Sequence, residues 1–293
     1  MASAFDAFLK QAWADHAEHS EAVAARLRSD RPAPETAAQL AAFVRLVVHL
    51  CGEHLGAFDD GREWLQALTT HPLADDDVRS ALRVGIASLT LAEFGQADLT
   101  AFTPDEQVRS LAAAAAIGVG RHNPARALAL LADARRRVAA LPSVGPATHR
   151  PLAVACNNMA WELIERGSAR STDETEAMLD IAAASQVHWA EAGTWLEVER
   201  SDYGLALAHL SAGRADDALP FAMRCLASCT QNAAPPFEHF FAHEALARVQ
   251  HVGGNAVAAA HSVAAAQAAF DQLGADDREA CRAALDTLHA LAQ

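Results

Sequence analysis

The sequence predicts an all-α protein, a stack of antiparallel helix hairpins with about 12–13 helices, from three observations. Apolar residues recur with the 3.6-residue period of a helix, and alternating Val, Ile and Thr runs are missing. Hydrophobic residues make up 52% of the chain, and most of the excess is alanine, the best helix former. Finally, small residues recur on helix faces, as in the stretch 205–227, where Ala218, Ala222 and Cys225 share one face.

Composition excludes several classes of function. The chain has 293 residues and a net charge of −14, so nucleic acid and anionic membranes should be repelled. Its N-terminal residues lack an apolar leader, and no apolar run approaches the ~18 residues of a membrane span. Five cysteines, an odd number spread through apolar helices, predict buried reduced thiols and a cytoplasmic protein. Lys10 is the single lysine among many arginines, which indicates a GC-rich bacterial genome.

The first hundred residues predict four helices of irregular length. Two of the breaks between them come at the RPAP segment, 31–34, and at His71-Pro72. Acidic residues at 75–77 begin the last of the four helices. The four helices are expected at about 3–28, 35–57, 59–70 and 75–95.

From Thr103 the hairpins become regular. TPDE at 103–106 has the pattern of a capping box with proline at the first helical position. The second helices carry small residues seven apart: Ala127/Ala134, Ala177/Ala184, Ala218/Cys225 and Ala258/Ala265. The first helices carry close-packed pairs: Ala114-Ala115, Met159-Ala160, Leu205-Ala206 and Ala245-Leu246. A last helix at 275–291, with Cys281, Leu285 and Leu288 on one face, is expected to cap the stack.

This pattern resembles the tetratricopeptide repeat family, and the segment 210–226 carries the closest similarity. There Gly213, Ala218, Leu219 and Cys225 stand on the family's signature positions. The repeat differs from the family's 34 residues, because Ala127, Ala177, Ala218 and Ala258 follow one another at steps of 50, 41 and 40. The proline that the family has after its second helix is missing, and most hairpin aromatics are replaced by Ala or Leu.

The resemblance implies a right-handed superhelical α-solenoid. One continuous domain would contain divergent hairpins at 1–102, tetratricopeptide-like repeats at 103–274 and the capping helix at 275–293. In that superhelix the first helix of each hairpin lines a concave groove. Carried over to this chain, the groove residues would be Asn157, Asn158, Trp161, Arg200, Tyr203, Phe240, His243 and Glu244.

Binding of a protein or peptide segment in this groove is the function that the resemblance implies. Consecutive asparagines are unfavourable inside a helix, and Asn157 and Asn158 could bond a peptide backbone or, equally, neighbouring helices. Trp161 and Tyr203 are residue types that anchor interfaces. Acidic residues nearby favour a neutral or basic partner.

Two alternatives remain open at the sequence level. In one, the groove is the active site of a helical enzyme or metal-dependent protein, centred on His239, His243 and Glu244. The metalloprotease pattern fails there because Ala247 stands where a histidine is needed, so neither a metal nor another cofactor is expected. On an α-helix, His49, Cys51 and His54 would not converge either. In the other alternative, the protein is a regulatory sensor that closes on a small ligand.

Overall fold

The structure, a computed structural model, describes residues 3–291, and these residues form helices and turns without any β-strand. The α-helices are α1 (Ala4–Asp15), α2 (Ser20–Ser29), α3 (Ala37–His49), α4 (Phe58–Ala67), α5 (Asp76–Phe94), α6 (Pro104–Gly120), α7 (Pro124–Ala139), α8 (Pro146–Glu165), α9 (Thr172–Ala192), α10 (Trp195–Ser211), α11 (Ala215–Gln231), α12 (Pro236–Val252), α13 (Ala256–Phe270) and α14 (Ala275–Leu291). The all-α prediction is therefore confirmed over the part of the chain that the structure describes.

The prediction of one helix over residues 3–28 is wrong, which raises the helix count above the expected 12–13. Asp15 ends α1 and organises the turn that follows. Its carbonyl accepts from the His19 N–H at 2.9 Å, and its carboxylate pairs with Arg26 of α2 at 2.6 Å. The amphipathic pattern continues across this turn because α1 and α2 bury apolar faces in the same core.

The predicted helix at 35–57 is interrupted. After α3 the chain continues as a π-helical segment over Leu50–Leu55, and Gly56, with φ 64°, ends it. Gly52 lies where a Cβ atom would come within 2.7 Å of the Ile117 side chain on α6. Glycine thus permits the close approach of the π-helical segment to α6.

The chain forms two compact units, unit 1 (residues 1–155) and unit 2 (residues 156–293), and the division falls inside α8. The largest core of unit 1 joins α1 to α5 and the π-helical segment. Its fully buried large side chains include Phe5, Leu27, Leu40, Phe43, Leu46, Leu50, Leu65, Leu82 and Leu89. Toward the end of unit 1, α6 and α7 form a hairpin in which the predicted pairs Ala114-Ala115 and Ala127/Ala134 are all buried.

Unit 2 contains the hairpins α10/α11 and α12/α13, with α14 packed against α12 and α13. The predicted first-helix pairs are buried, as are Ala218 and Cys225 on α11 and Cys281, Leu285 and Leu288 on α14. In α9 the predicted Ala184 is buried, but Met178 is buried where Ala177 is only half-buried. In α13 the predicted register is wrong by one residue, because Ala259 and Ala266 are buried where Ala258 and Ala265 are only half-buried.

All five cysteines are buried and free, as predicted. Within residues 3–291, no helix combines the length and the apolar composition needed to cross a bilayer.

Candidate functional site

A cavity of about 440 Å³ lies within unit 1, between α3, α5, α6 and the first turns of α8. Most of its wall is apolar, because the small and branched residues of these helices face each other across it. Representative lining residues are Val44, Val48, Val84, Ala113, Ile117 and Val154. Val154 is 37% exposed, so the cavity is open to solvent on the side of α8. The volume falls in the range of small-molecule sites.

Arginines supply most of the charge around this cavity: Arg45, Arg109 and Arg150 all belong to its lining. Arg109 pairs with Asp105 at 3.1 Å. Arg45 is exposed, and among the described residues it makes neither a hydrogen bond nor an ion pair. The cavity therefore has a mostly apolar wall and, at its border, the unpaired guanidinium group of Arg45.

Three histidines converge at one end of this region, in the cluster His16, His49 and His54. One ring nitrogen from each lies within 4.8 Å of the others, and the His49 and His54 Nε2 atoms are 3.1 Å apart. The ring centroids of each pair are also 4.8 Å apart, so the three rings form a triangle. All three side chains are half-buried, and His49 also borders the cavity.

Neighbouring groups orient two of the three rings through their Nδ1 atoms. His49 Nδ1 lies 2.8 Å from Glu53 Oε1, and His16 Nδ1 lies 2.6 Å from the Trp13 carbonyl oxygen. The Trp13 ring packs 5.1 Å from both of these histidines and is itself 38% exposed. Burial, followed by the neighbouring His49 and His16, lowers the pKa of His54 and favours its neutral form.

The cluster was not predicted from the sequence. The prediction that His49, Cys51 and His54 do not all converge agrees with the structure, in which Cys51 does not join the cluster. The prediction that put His49 on a different side of the helix from His54 is wrong, because their Nε2 atoms are 3.1 Å apart. Residues five apart on an α-helix point about 140° apart. The wider π-helical turn after His49 removes that separation. Cys51 is fully buried in the core, as its apolar surroundings suggest. The third member of the cluster, His16, lies in the turn after α1, far from His49 in the sequence. The pair His49–Glu53, by contrast, was visible in the sequence as a four-residue spacing.

The predicted groove residues of unit 2 divide into two groups. Trp161 and Tyr203 lie in a row of half-buried aromatic rings that continues to Phe241, with centroid separations of 6.0 and 5.7 Å. Phe240 is fully buried in the core and does not line this surface, so the predicted position is wrong by one residue. Glu244 is also buried: it accepts from the Tyr203 hydroxyl at 3.0 Å and pairs with Arg248.

The polar members of the predicted groove lie closer to solvent. Asn158 is exposed, and Asn157 is half-buried and donates only a long hydrogen bond to it, at 3.4 Å. Arg200 is exposed and pairs with the buried Glu238. Asn157 and Trp161 border a cavity of only about 10 Å³ with α9 and α10, so this surface is shallow.

His239 and His243 stack 6.4 Å apart in a separate depression of about 400 Å³ between α12 and α13. Its opposite wall consists of alanines and Gln272, so it adds no histidine, cysteine or carboxylate to the two histidines. Glu244 bonds Tyr203 of α10 instead. The three residues of the proposed enzyme centre therefore do not form one site.

A second polar cluster, formed by Glu199, Cys225 and Cys229, is buried inside unit 2. The Cys225 thiol donates to Glu199 Oε1 at 2.7 Å, and the Cys229 thiol approaches the same oxygen at 3.4 Å. Burial raises the pKa of Glu199, and the bond to Cys229 together with burial raises the pKa of Cys225. The three side chains form a buried hydrogen-bonded group.

Comparison of the chain with protein-family models, with curated proteins and with solved structures found no match. The tetratricopeptide resemblance therefore stays a prediction from the sequence. The function proposed below is based on the geometry of the site.

Proposed function

We propose that the protein binds a small amphipathic anion, an apolar chain or ring system with a carboxylate, in the cavity of unit 1. The observation that carries the proposal is the 440 Å³ apolar volume bordered by the unpaired guanidinium group of Arg45. The function belongs to the ligand-sensing class considered from the sequence.

The chemistry of the lining supports this ligand class. An apolar ligand body would cover the valines and alanines, whose burial provides the driving force. Arg45 and Arg150 at the border favour an anionic group, and a guanidinium can bind a carboxylate through two parallel hydrogen bonds. This local positive charge contrasts with the −14 of the whole chain.

Calorimetric titration with dodecanoate tests the proposal, with dodecan-1-ol as the uncharged probe. We expect saturable binding of one dodecanoate and weaker binding of the alcohol. Ala113→Trp, which places an indole in the cavity, should abolish binding. Arg45→Gln should weaken dodecanoate binding about fivefold, since a solvent-exposed charge pair contributes about 1 kcal/mol.

Matched variants separate these effects from changes in folding. Ala25→Trp adds the same bulk on an exposed face of α2, and Arg79→Gln removes an exposed arginine of α5 that pairs with Asp76. Neither should change dodecanoate affinity. Wild-type affinity in folded Ala113→Trp would contradict the proposal.

A second candidate function is supported by the aromatic row of unit 2: binding of a neutral or basic peptide segment, as the family resemblance implies. Trp161, Tyr203 and Phe241 place three half-buried rings side by side on α8, α10 and α12. The exposed Asn158 amide lies on the same helix as Trp161 and could bond a peptide backbone. Consecutive packing of the hairpins α10/α11 and α12/α13 supports a tetratricopeptide-like arrangement within this unit.

A peptide-array screen, with binding measured by fluorescence anisotropy, tests this candidate. Trp161→Ala should weaken any selected peptide by about 2 kcal/mol, as expected of an aromatic anchor. Met223→Ala, which removes an exposed apolar side chain from α11, should have no effect. The reverse ranking would move the binding surface away from the aromatic row.

A further inference from the structure

We propose that His16, His49 and His54 form a binding site for one divalent transition-metal ion of the zinc or cobalt type, with an open coordination position. The site is independent of the cavity ligand, although His49 borders both.

The geometry fits three nitrogen ligands around one ion. Metal–nitrogen bonds to zinc are about 2.0–2.1 Å, so nitrogens that share an ion lie a little over 3 Å apart. His49 and His54 already meet this requirement, with their Nε2 atoms at 3.1 Å. His16 has a ring nitrogen within 4.8 Å of both and would move closer to them on binding the ion.

The second observation is the orientation of the rings. In metal sites, a ligating histidine commonly donates its other N–H to a carboxylate or to a backbone carbonyl, which selects the tautomer and raises ligand basicity. Both arrangements are present. His49 Nδ1 lies 2.8 Å from the Glu53 carboxylate, and His16 Nδ1 lies 2.6 Å from the Trp13 carbonyl oxygen. With Nδ1 protonated, Nε2 keeps its lone pair for the metal.

The local backbone also helps to position two of the three ligands, His54 and His16. His54 lies in a π-helical segment, a form that is rare and frequent at functional sites. His16 lies in the turn that the Asp15–Arg26 ion pair holds against α2. The side chains of His16 and His54 both remain partly in contact with solvent, so neither imidazole belongs to the apolar core.

Imidazole ligands select the metal class. Three histidines suit zinc, copper, cobalt or nickel, whereas calcium and magnesium prefer oxygen. With three protein ligands, the fourth position is left for water or another small ligand, as in catalytic rather than structural zinc sites. The half-buried position of the cluster leaves that side accessible.

Cobalt(II) titration of the untagged, chelator-treated full chain tests the proposal. We expect one equivalent to bind, with visible d–d absorption typical of a four- or five-coordinate ion, and zinc to displace it. His16→Ala and His54→Ala should each abolish the stoichiometric signal. Glu53→Ala, which leaves all three imidazoles in place, should weaken binding 10–100-fold, as loss of a carboxylate behind a ligand does.

The double variant His239→Ala/His243→Ala is the matched control, because it removes two neighbouring histidines at an unrelated depression. It should bind cobalt as the wild type does. Circular dichroism verifies the fold of each variant. If His54→Ala is misfolded, His16→Ala, in a turn, gives the decisive result. Absence of stoichiometric binding in the wild type, or unchanged binding in folded His16→Ala, would overturn the assignment.

Discussion

At the scale of single residues, the buried carboxylates of Glu106 and Glu199 show how hydrogen-bond donors affect the pKa of a side chain. Burial alone would raise the pKa of Glu106, but bonds from Ser80, from the Thr103 N–H and from Arg83 outweigh it and lower the pKa to about 2. Glu199 is also buried and has only two thiols as neighbouring donors, and burial raises its pKa. Hydrogen bonds therefore stabilise the ionised form of Glu106, whereas burial disfavours the ionised form of Glu199.

We expect Glu106→Gln to lower the free energy of unfolding by about 2 kcal/mol at pH 7, because it removes charge-assisted hydrogen bonds. The folded pKa is depressed, so this stabilisation is present above the unfolded value of 4.5 and is lost as the pH falls toward 2. Urea denaturation at pH 7, 4.5 and 3 measures the effect. The difference between variant and wild type should shrink along that series.

Glu63→Gln is the control, since Glu63 is exposed and makes no hydrogen bond or ion pair among the described residues. A pH-independent difference between Glu106→Gln and wild type would show that the charge of Glu106 contributes little.

At the scale of the helices, small residues control how closely neighbouring elements approach. Ala218 and Ala222 on α11 pack with Ala206 of α10 and Ala245 of α12, and all four are fully buried. Interiors packed at this density have little room for added atoms. Small side chains at these positions therefore let α10, α11 and α12 approach closely.

Ala218→Leu should therefore overpack this contact and destabilise the protein by roughly 1–3 kcal/mol. Thermal and urea denaturation measure the loss, with Ala227→Leu as the matched change on the exposed face of α11. Ala227→Leu should be nearly neutral. Equal stability of the two variants would mean that α11 has been assigned the wrong buried face.

At the scale of the whole molecule, α8 belongs to both compact units, since the division falls between residues 155 and 156. Its first turns border the cavity of unit 1, and its second half contributes Trp161 to the aromatic row of unit 2. One uninterrupted helix therefore contributes to both surfaces for which we propose a binding function.

Local sequence determined the helical class, most helix positions after residue 103 and most of the buried small-residue pairs. These features depend on propensity, capping and the angular spacing of residues on one helix, which neighbouring residues alone decide. Thr103 and Glu106, for example, form the predicted capping box.

Tertiary structure decided the candidate sites. Spacing along one helix does not say which distant turn will face it, so the approach of His16 to His49 could not be read from the sequence. The π-helical turn that brings His54 beside His49 changes the angular relation assumed for an α-helix. Likewise, Phe240 and Phe241 are adjacent residues of the same type. The packing of α12 buries Phe240 in the core and places Phe241 beside Tyr203. Long-range packing, which propensity does not encode, made these choices.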